Sequence, residues 1–139
     1  MNRLTLVALG ALSIAAPAQA ADLNVDLDGV RAAGGNLYVT VQTREEFMQQ
    51  RETAGSIVSR PQAGAHRFSY EIPAGDYAIS VWHDDNGNGR FDKNDSHIPL
   101  DGWAMANSAA LRAEPTFDQV RTQVGSAPAT VRLTMTYGR

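Results

Sequence analysis

The sequence predicts an all-β protein, a single antiparallel β-sandwich of the immunoglobulin or transthyretin type with about seven strands. Short segments with alternating apolar and polar residues recur along the chain, and this alternation is typical of strands that bury one face. Clusters of Gly, Pro, Asn and Asp separate the segments, as turns do. The strand–helix–strand rhythm of parallel sheets does not occur in the sequence.

Two alternating segments open the predicted domain. Residues 22–28 and 36–43 each carry apolar side chains at every second position, and the turn-forming pair Gly34-Gly35 lies between them. We therefore expect these segments to form a hairpin with one buried face. The side chains expected on the core face are Leu23, Val25, Leu27, Leu37, Val39 and Val41.

The next segment has a different character. Residues 44–52 contain good helix formers and no β-branched residue, so they are the best helix candidate in the chain. Because the segment is only about two turns long, we expect a short helix or a mobile loop. Thr43 and Glu46 have the spacing of a capping box at the start of that helix. Ile57 and Val58 then predict a brief strand.

Four further segments complete the predicted sandwich. Residues 65–72 and 77–83 alternate on either side of the turn Pro-Ala-Gly-Asp at 73–76, and this predicts a second hairpin. Residues 115–124 are ambiguous between a helix and an edge strand. Residues 130–137 alternate again and predict the last strand.

Composition limits the class of protein. The chain has 139 residues, 43% hydrophobic and 19% charged, which suits one globular domain and not a disordered chain. Its 12 basic and 15 acidic residues give a net charge of -3, which argues against a nucleic-acid partner. Cysteine is absent, and this excludes disulfides, thiolate metal sites and thiol nucleophiles.

The first 20 residues predict a signal peptide. A basic start precedes the apolar run 4–16, which is shorter than the roughly 20 residues of a membrane span. A proline and the small-residue pattern Ala18-Gln19-Ala20 follow, so we expect cleavage after Ala20. The domain is then 21–139, with no membrane span, in the periplasm or secreted.

Residues 84–95 have the oxygen spacing of a calcium loop of the EF-hand type. Ca²⁺ takes about six to eight oxygen ligands, and Gly89 stands at the sixth position, where such a loop turns sharply. The predicted cofactor is therefore Ca²⁺, although Asp, Asn and Gly would also suit a merely polar turn. The predicted ligands are Asp84, Asn86, Asn88, Arg90 through its backbone carbonyl, Asp92 and Asp95.

The run PAGDYAISVWHDDNGNGRFD, residues 73–92, resembles a secreted bacterial family catalogued as domain of unknown function 2141. Residues 98–103 and 115–118 resemble later landmarks of that family, so the resemblance covers most of the chain from Leu23 to Tyr137. The resemblance implies a small exported β-sandwich and no particular activity.

Two residues depart from the family pattern. His97 stands where the family tends to have Gly, and Asp101 stands where it tends to have Glu. If the family's Glu is a metal ligand, Asp101 competes with Asp95 to complete the calcium site.

The sequence also contains residue types found in zinc sites and in hydrolase triads. His83, His97 and Asp101 include the ligand types of a zinc site, but His83 shares the apolar face of its strand and is expected to cap the core. Ser80, His83 and Asp84 include the residue types of a hydrolase triad, but no nucleophile elbow is present.

The sequence therefore leaves three hypotheses of function. The first is an exported, non-enzymatic protein of the cell envelope with a calcium loop. The second is a calcium-dependent module in which loop 84–110 presents Trp103 to a glycan or an envelope protein. The third is a metal-dependent hydrolase. Trp82 is expected to pack under the long loop.

Overall fold

The computed structural model describes residues 19–138, which form two β-sheets with almost no helix. Most of the predicted signal peptide lies outside the described residues. A short helix, α1 (Phe117–Val120), and one 3-10 turn, Ser108–Ala110, accompany the strands. The strands are β1 (Ala20–Val30), β2 (Asn36–Gln42), β3 (Ala54–Ser59), β4 (Gly64–Pro73), β5 (Gly75–His83), β6 (Gly102–Met105), β7 (Arg121–Val124) and β8 (Ala129–Thr134).

The two sheets have different strand orders. In the first sheet the order is β4-β1-β8, with β1 antiparallel to β4 and parallel to β8. In the second sheet the order is β3-β2-β5-β6, and β7 pairs with the beginning of β5. The all-β class is confirmed, with eight strands where about seven were predicted. The β1–β8 pair is parallel, so the prediction that the sandwich is antiparallel throughout is wrong. In the described part of the chain, no helix has the length and hydropathy that crossing a membrane requires.

One large core cluster joins the sheets. Strands β1 and β2 bury every second side chain over most of their length, so the predicted alternation in these strands is confirmed. The central members of this cluster are Leu23, Val25 and Leu27 from β1, Leu37, Val39 and Val41 from β2, and Ile79 and Val81 from β5.

Both predicted hairpins are wrong. β1 and β2 lie in different sheets, and so do β4 and β5. The turn after Pro73 carries the chain from the first sheet to the second, and the Tyr77 hydroxyl donates a hydrogen bond to the Pro73 carbonyl at 2.8 Å. Alternation shows which face of a strand is buried, but it does not show whether the neighbouring strand pairs with it or faces it across the core.

Residues 44–50 form consecutive turns, so of the two structures considered for residues 44–52 the short helix does not form. Met48 has a left-handed φ of 59°, which a right-handed helix excludes, and the side-chain amide of buried Gln42 holds the turns through their carbonyls. Glu46 accepts a hydrogen bond from the Thr43 backbone at 2.9 Å, so one half of the expected capping box is present. The carbonyl partners of Gln42 are Glu46 at 3.0 Å, Gln49 at 3.0 Å and Arg51 at 2.7 Å.

The ambiguous segment 115–124 contains both of the structures considered. Helix α1 begins after Thr116, where Thr116 and Gln119 form a capping box, and strand β7 follows directly. Phe117 and Val120 are buried in a small second cluster with Ala78.

The C-terminal residues tie the two sheets together. Met135 donates its backbone N–H to Asp28 of β1 at 2.9 Å, and Thr136 exchanges two 2.8 Å backbone bonds with Trp103 of β6. The Tyr137 hydroxyl accepts the Arg31 N–H at 3.0 Å and is 2.8 Å from His83 Nδ1. The last strand therefore ends at Thr134, and the predicted residues beyond it act as a cross-link.

We expect Tyr137→Phe to lower the free energy of unfolding by about 2 kcal/mol. The change removes two hydrogen bonds and leaves the buried His83 ring without any partner. Tyr70→Phe is the matched control, since it removes a single bond to the Ser56 hydroxyl. Urea denaturation of both variants measures the difference. A smaller loss for Tyr137→Phe than for Tyr70→Phe would contradict this role.

Candidate functional site

The long loop that follows β5 is anchored at its first residue. Asp84 is 4% exposed, and its backbone N–H donates to the Asn36 carbonyl at 2.9 Å. The Gly35 backbone packs directly against Asp84, because a Cβ built on Gly35 would lie 1.4 Å from the Asp84 carbonyl oxygen. The turn between β1 and β2 therefore sets the position from which the loop starts.

The loop curls around the carboxylate of Asp84. Asp84 Oδ1 accepts the Asn88 N–H at 3.0 Å, and Oδ2 accepts the Gly89 N–H at 2.8 Å. Gly89 has a φ of 75°, the left-handed conformation that favours glycine. This is the tight turn that the calcium-loop pattern requires at its sixth position.

Two amide side chains converge on a second carboxylate. Asn86 Nδ2 and Asn88 Nδ2 both donate to Asp92 Oδ2, at 2.8 Å and 2.6 Å. These two hydrogen bonds, the one from Asn86 first, hold the pKa of Asp92 below its ordinary value. Arg90 donates its backbone N–H to Asn88 Oδ1 at 2.9 Å. Side chains at four of the predicted positions thus take part in one hydrogen-bonded loop.

Asp101, and not Asp95, contacts this loop. Asp101 is 1% exposed, and its Oδ2 accepts the Asp92 N–H at 3.1 Å and the Trp82 Nε1–H at 2.9 Å. Asp95 is exposed, and its side chain makes no hydrogen bond within residues 19–138. Of the two acids that competed for the last ligand position, only Asp101 touches another candidate ligand.

A small second turn carries Asp95 away from the other acids. Lys93 and Pro99 pair as an isolated bridge, so residues 94–98 lie at the tip of a short excursion. Asn94 Oδ1 closes the tip by accepting the N–H groups of Ser96 at 2.9 Å and Ile98 at 3.0 Å. The sequence analysis did not predict this Asn94 turn. An Asn whose side-chain oxygen accepts backbone N–H groups shortly after it is nevertheless a recognisable turn signal.

His97 lies at the same tip with a φ of 61°. A side chain in this region strains the backbone and glycine does not. Glycine at this position would therefore relieve the strain, in agreement with the departure expected from the sequence resemblance.

The alternative sites are not assembled. Within residues 19–138, no three His, Asp or Glu side chains group closely enough to hold a metal ion by themselves. Any cation site here would therefore need the amide and backbone oxygens of the loop. Ser80 is 2.8 Å from the Thr40 hydroxyl, and in the alternation of β5 it faces away from His83.

His83 has a structural position at the end of β5, as its place on the apolar face predicted. It is fully buried, and its Nε2 has no hydrogen-bond partner in the described part of the chain. Burial lowers the pKa of His83, and the negative charges of Asp85, Asp84 and Asp101 oppose that effect. The lowered pKa favours the neutral ring.

Aromatic side chains form a row under the loop on the outer face of the second sheet. Tyr38, Trp82 and Trp103 occupy paired positions on β2, β5 and β6. Trp82 stacks on Tyr38 with ring centroids 4.7 Å apart, and Phe91 of the loop meets Trp82 edge-on at 6.2 Å. Trp82 therefore packs under the loop as expected, while Trp103, half-buried, lies at the edge of the covered surface.

Fold and loop together define a small all-β protein with two sheets and an Asp- and Asn-rich loop after a central strand. The chain belongs to the family described as "Uncharacterized protein conserved in bacteria (DUF2141)", whose sequence profile matches residues 25–132. The resemblance noted from the sequence is thereby confirmed. No curated protein and no solved structure matches the chain.

We expect Gly35→Ala to destabilise the fold by about 1–3 kcal/mol, because the added methyl group collides with the backbone of Asp84. Gly34→Ala is the matched control, since a Cβ there meets nothing within 4 Å, and its effect should stay within about 0.5 kcal/mol. Urea denaturation followed by tryptophan fluorescence compares the two. Equal stabilities for the two variants would show that the contact between Gly35 and Asp84 does not hold the start of the loop.

Proposed function

We propose that this chain is an exported, non-catalytic β-sandwich of the bacterial cell envelope whose loop 84–101 is ordered by Ca²⁺. The observation that carries the proposal is the convergence of Asn86 and Asn88 on Asp92 in a loop wound around Asp84. The two sheets with a shared core support a sandwich of the immunoglobulin or transthyretin type.

The chemistry of the loop suits a hard cation. Asp84 and Asp92 supply two carboxylates close to two amide groups, and the Asp92 carboxyl has a lowered pKa that favours its ionised form. Rotation of the Asn86 and Asn88 amides would turn their oxygens toward a bound ion and release the backbone N–H groups of Asn88 and Arg90 that those oxygens accept. Asp101, whose Oδ2 accepts the Asp92 N–H at 3.1 Å, would add a third carboxylate if the loop tightened around the ion. Together with the Arg90 carbonyl, this donor set resembles the oxygen ligands of calcium sites.

The expected contribution of the ion to stability is modest. Calcium sites in extracellular modules have dissociation constants of about 10⁻⁴ to 10⁻³ M. At calcium tenfold above the dissociation constant, binding stabilises the folded state by about 1.4 kcal/mol. We therefore propose that calcium orders the loop, and that the domain folds without it.

A binding module is the second candidate function. The position of Trp103 at the edge of the loop-covered surface favours it, because a half-buried tryptophan there can contact a glycan or an envelope protein. A metal-dependent hydrolase has less support, since Ser80 and His83 occupy opposite faces of β5.

We expect calcium titration of the purified protein by calorimetry to show one saturable site. Thermal melts should rise by several degrees in calcium relative to EDTA. Asp84→Ala should abolish the calcium-dependent rise, whatever its effect on the melting temperature in EDTA. An unchanged calcium response in Asp84→Ala would contradict the assignment of this ligand.

Two isosteric variants locate the last carboxylate. Asp101→Asn keeps an oxygen that can accept the Asp92 and Trp82 N–H groups but removes a negative charge, so calcium affinity should fall. Asp95→Asn is the control and should bind calcium as the unaltered protein does. If Asp95→Asn weakens calcium binding and Asp101→Asn does not, Asp95 is the last ligand of the site.

Export predicts a processed N-terminus. Full-length protein made in a Gram-negative host should be recovered from the periplasm or medium with Ala21 as its first residue, as intact mass measurement would show. Recovery of the full-length chain from the cytoplasm alone would contradict the proposed location.

A further inference from the structure

An open groove lies on the outer face of the second sheet, beside the aromatic row. Its volume is about 750 Å³, within the range of roughly 300–1,000 Å³ that small-molecule sites occupy. One wall is the excursion around residues 91–99, and the opposite wall is the segment 111–115. Most of its lining is apolar and comes from Met48, Phe91, Ile98, Trp103, Met105 and Leu111.

Several of these apolar side chains are unusually exposed. Met48 is 53% exposed, Ile98 57% and Phe91 41%. Large apolar side chains gathered around one concavity mark a binding surface more often than single scattered ones do. The aliphatic and thioether side chains adapt their shape to flexible chains.

Charge at the groove is mostly positive, although the chain as a whole carries a net charge of -3. Lys93 and Arg112 line the groove, and neither has a carboxylate oxygen within 4.0 Å in residues 19–138. Arg112 donates only to backbone carbonyls, those of Ala109 at 3.3 Å and Leu111 at 2.8 Å. Glu114 is the one acid of the lining. The groove therefore combines an apolar interior with cations that lack an ionic partner.

Two strained residues also lie here. Only four non-glycine residues in the described chain have positive φ, and two of them, Met48 at 59° and His97 at 61°, line the groove. Such conformations cost free energy and concentrate at binding sites.

We propose that this groove binds one molecule of a saturated fatty acid of about the length of dodecanoate. The carboxylate pairs with Lys93 and Arg112, and the acyl chain lies across Phe91, Ile98, Trp103 and Met105. A flat membrane surface does not match a concave site. This inference goes beyond the calcium proposal and does not depend on it.

The test is a calorimetric titration of the purified protein with dodecanoate in EDTA, because free calcium would precipitate the acid. We expect one saturable site in the absence of calcium, so the outcome is independent of whether the calcium proposal holds. Dodecanol, which has the same chain without the charge, should bind about tenfold more weakly. Trp103 fluorescence should change on binding, and Trp103→Phe should remove that change.

Variants with matched controls locate the site. Ile98→Asp should abolish dodecanoate binding, whereas Ile57→Asp, at another exposed isoleucine outside the groove, should leave it unchanged. The double variant Lys93→Ala, Arg112→Ala should weaken dodecanoate binding about tenfold and leave dodecanol binding unchanged. Arg132→Ala is the control for loss of an exposed arginine that lies outside the groove.

Any of four results would overturn the proposal. These are no saturable binding of dodecanoate, equal affinity for dodecanoate and dodecanol, insensitivity to Ile98→Asp, or binding to anionic vesicles without binding of the monomeric acid. The last result would assign the exposed apolar side chains to membrane contact instead.

Discussion

The end of β5 is the constraint on which the site depends. Three successive residues there serve three separate parts of the molecule. Trp82 points to the outer face and packs against Phe91 of the loop. His83 points into the core and contacts Tyr137 of the C-terminal cross-link. Asp84 begins the loop. Because side chains alternate along a strand, none of the three can move to another role without a change of register.

This junction explains how a 139-residue chain without cysteine holds a long irregular loop in place. The loop is attached to the sheets at three points: the Gly35 turn at Asp84, Trp82 at Asp101, and the C-terminal residues beside β6. At the third point, a Cβ on Gly138 would lie 2.7 Å from the Leu100 Cα. The first two attachments end on the buried carboxyl residues Asp84 and Asp101, and buried polar groups lose much more when unpaired than exposed ones do.

The sequence predicted those features that depend on local pattern. Alternation identified the core faces of β1 and β2, and loop spacing placed Gly89 at a left-handed turn. The sequence did not predict which strands pair, because a short connection can join two strands of one sheet or two strands of different sheets. Nor did it show that Asp101, and not Asp95, contacts the loop. That difference depends on Trp82 and on the Asn94 turn, two contacts made after folding. The turns over residues 44–50 depend likewise on the buried Gln42 amide and on the left-handed backbone of Met48, which the residue pattern of that segment does not indicate.

The loop and the groove share a wall, and this links the two proposals physically. Asp92 belongs to the polar loop, while its neighbours Phe91 and Lys93 line the groove. Phe91 also rests against Trp82, so its position depends on how the loop sits on the sheet. An ion that orders Asp92 would reduce the motion of both neighbours, and a ligand that orders the neighbours would reduce the motion of Asp92. Thermodynamic linkage requires the two effects to be equal in free energy. If both proposals hold, binding of the fatty acid and binding of calcium would strengthen each other, without any change in the arrangement of the sheets.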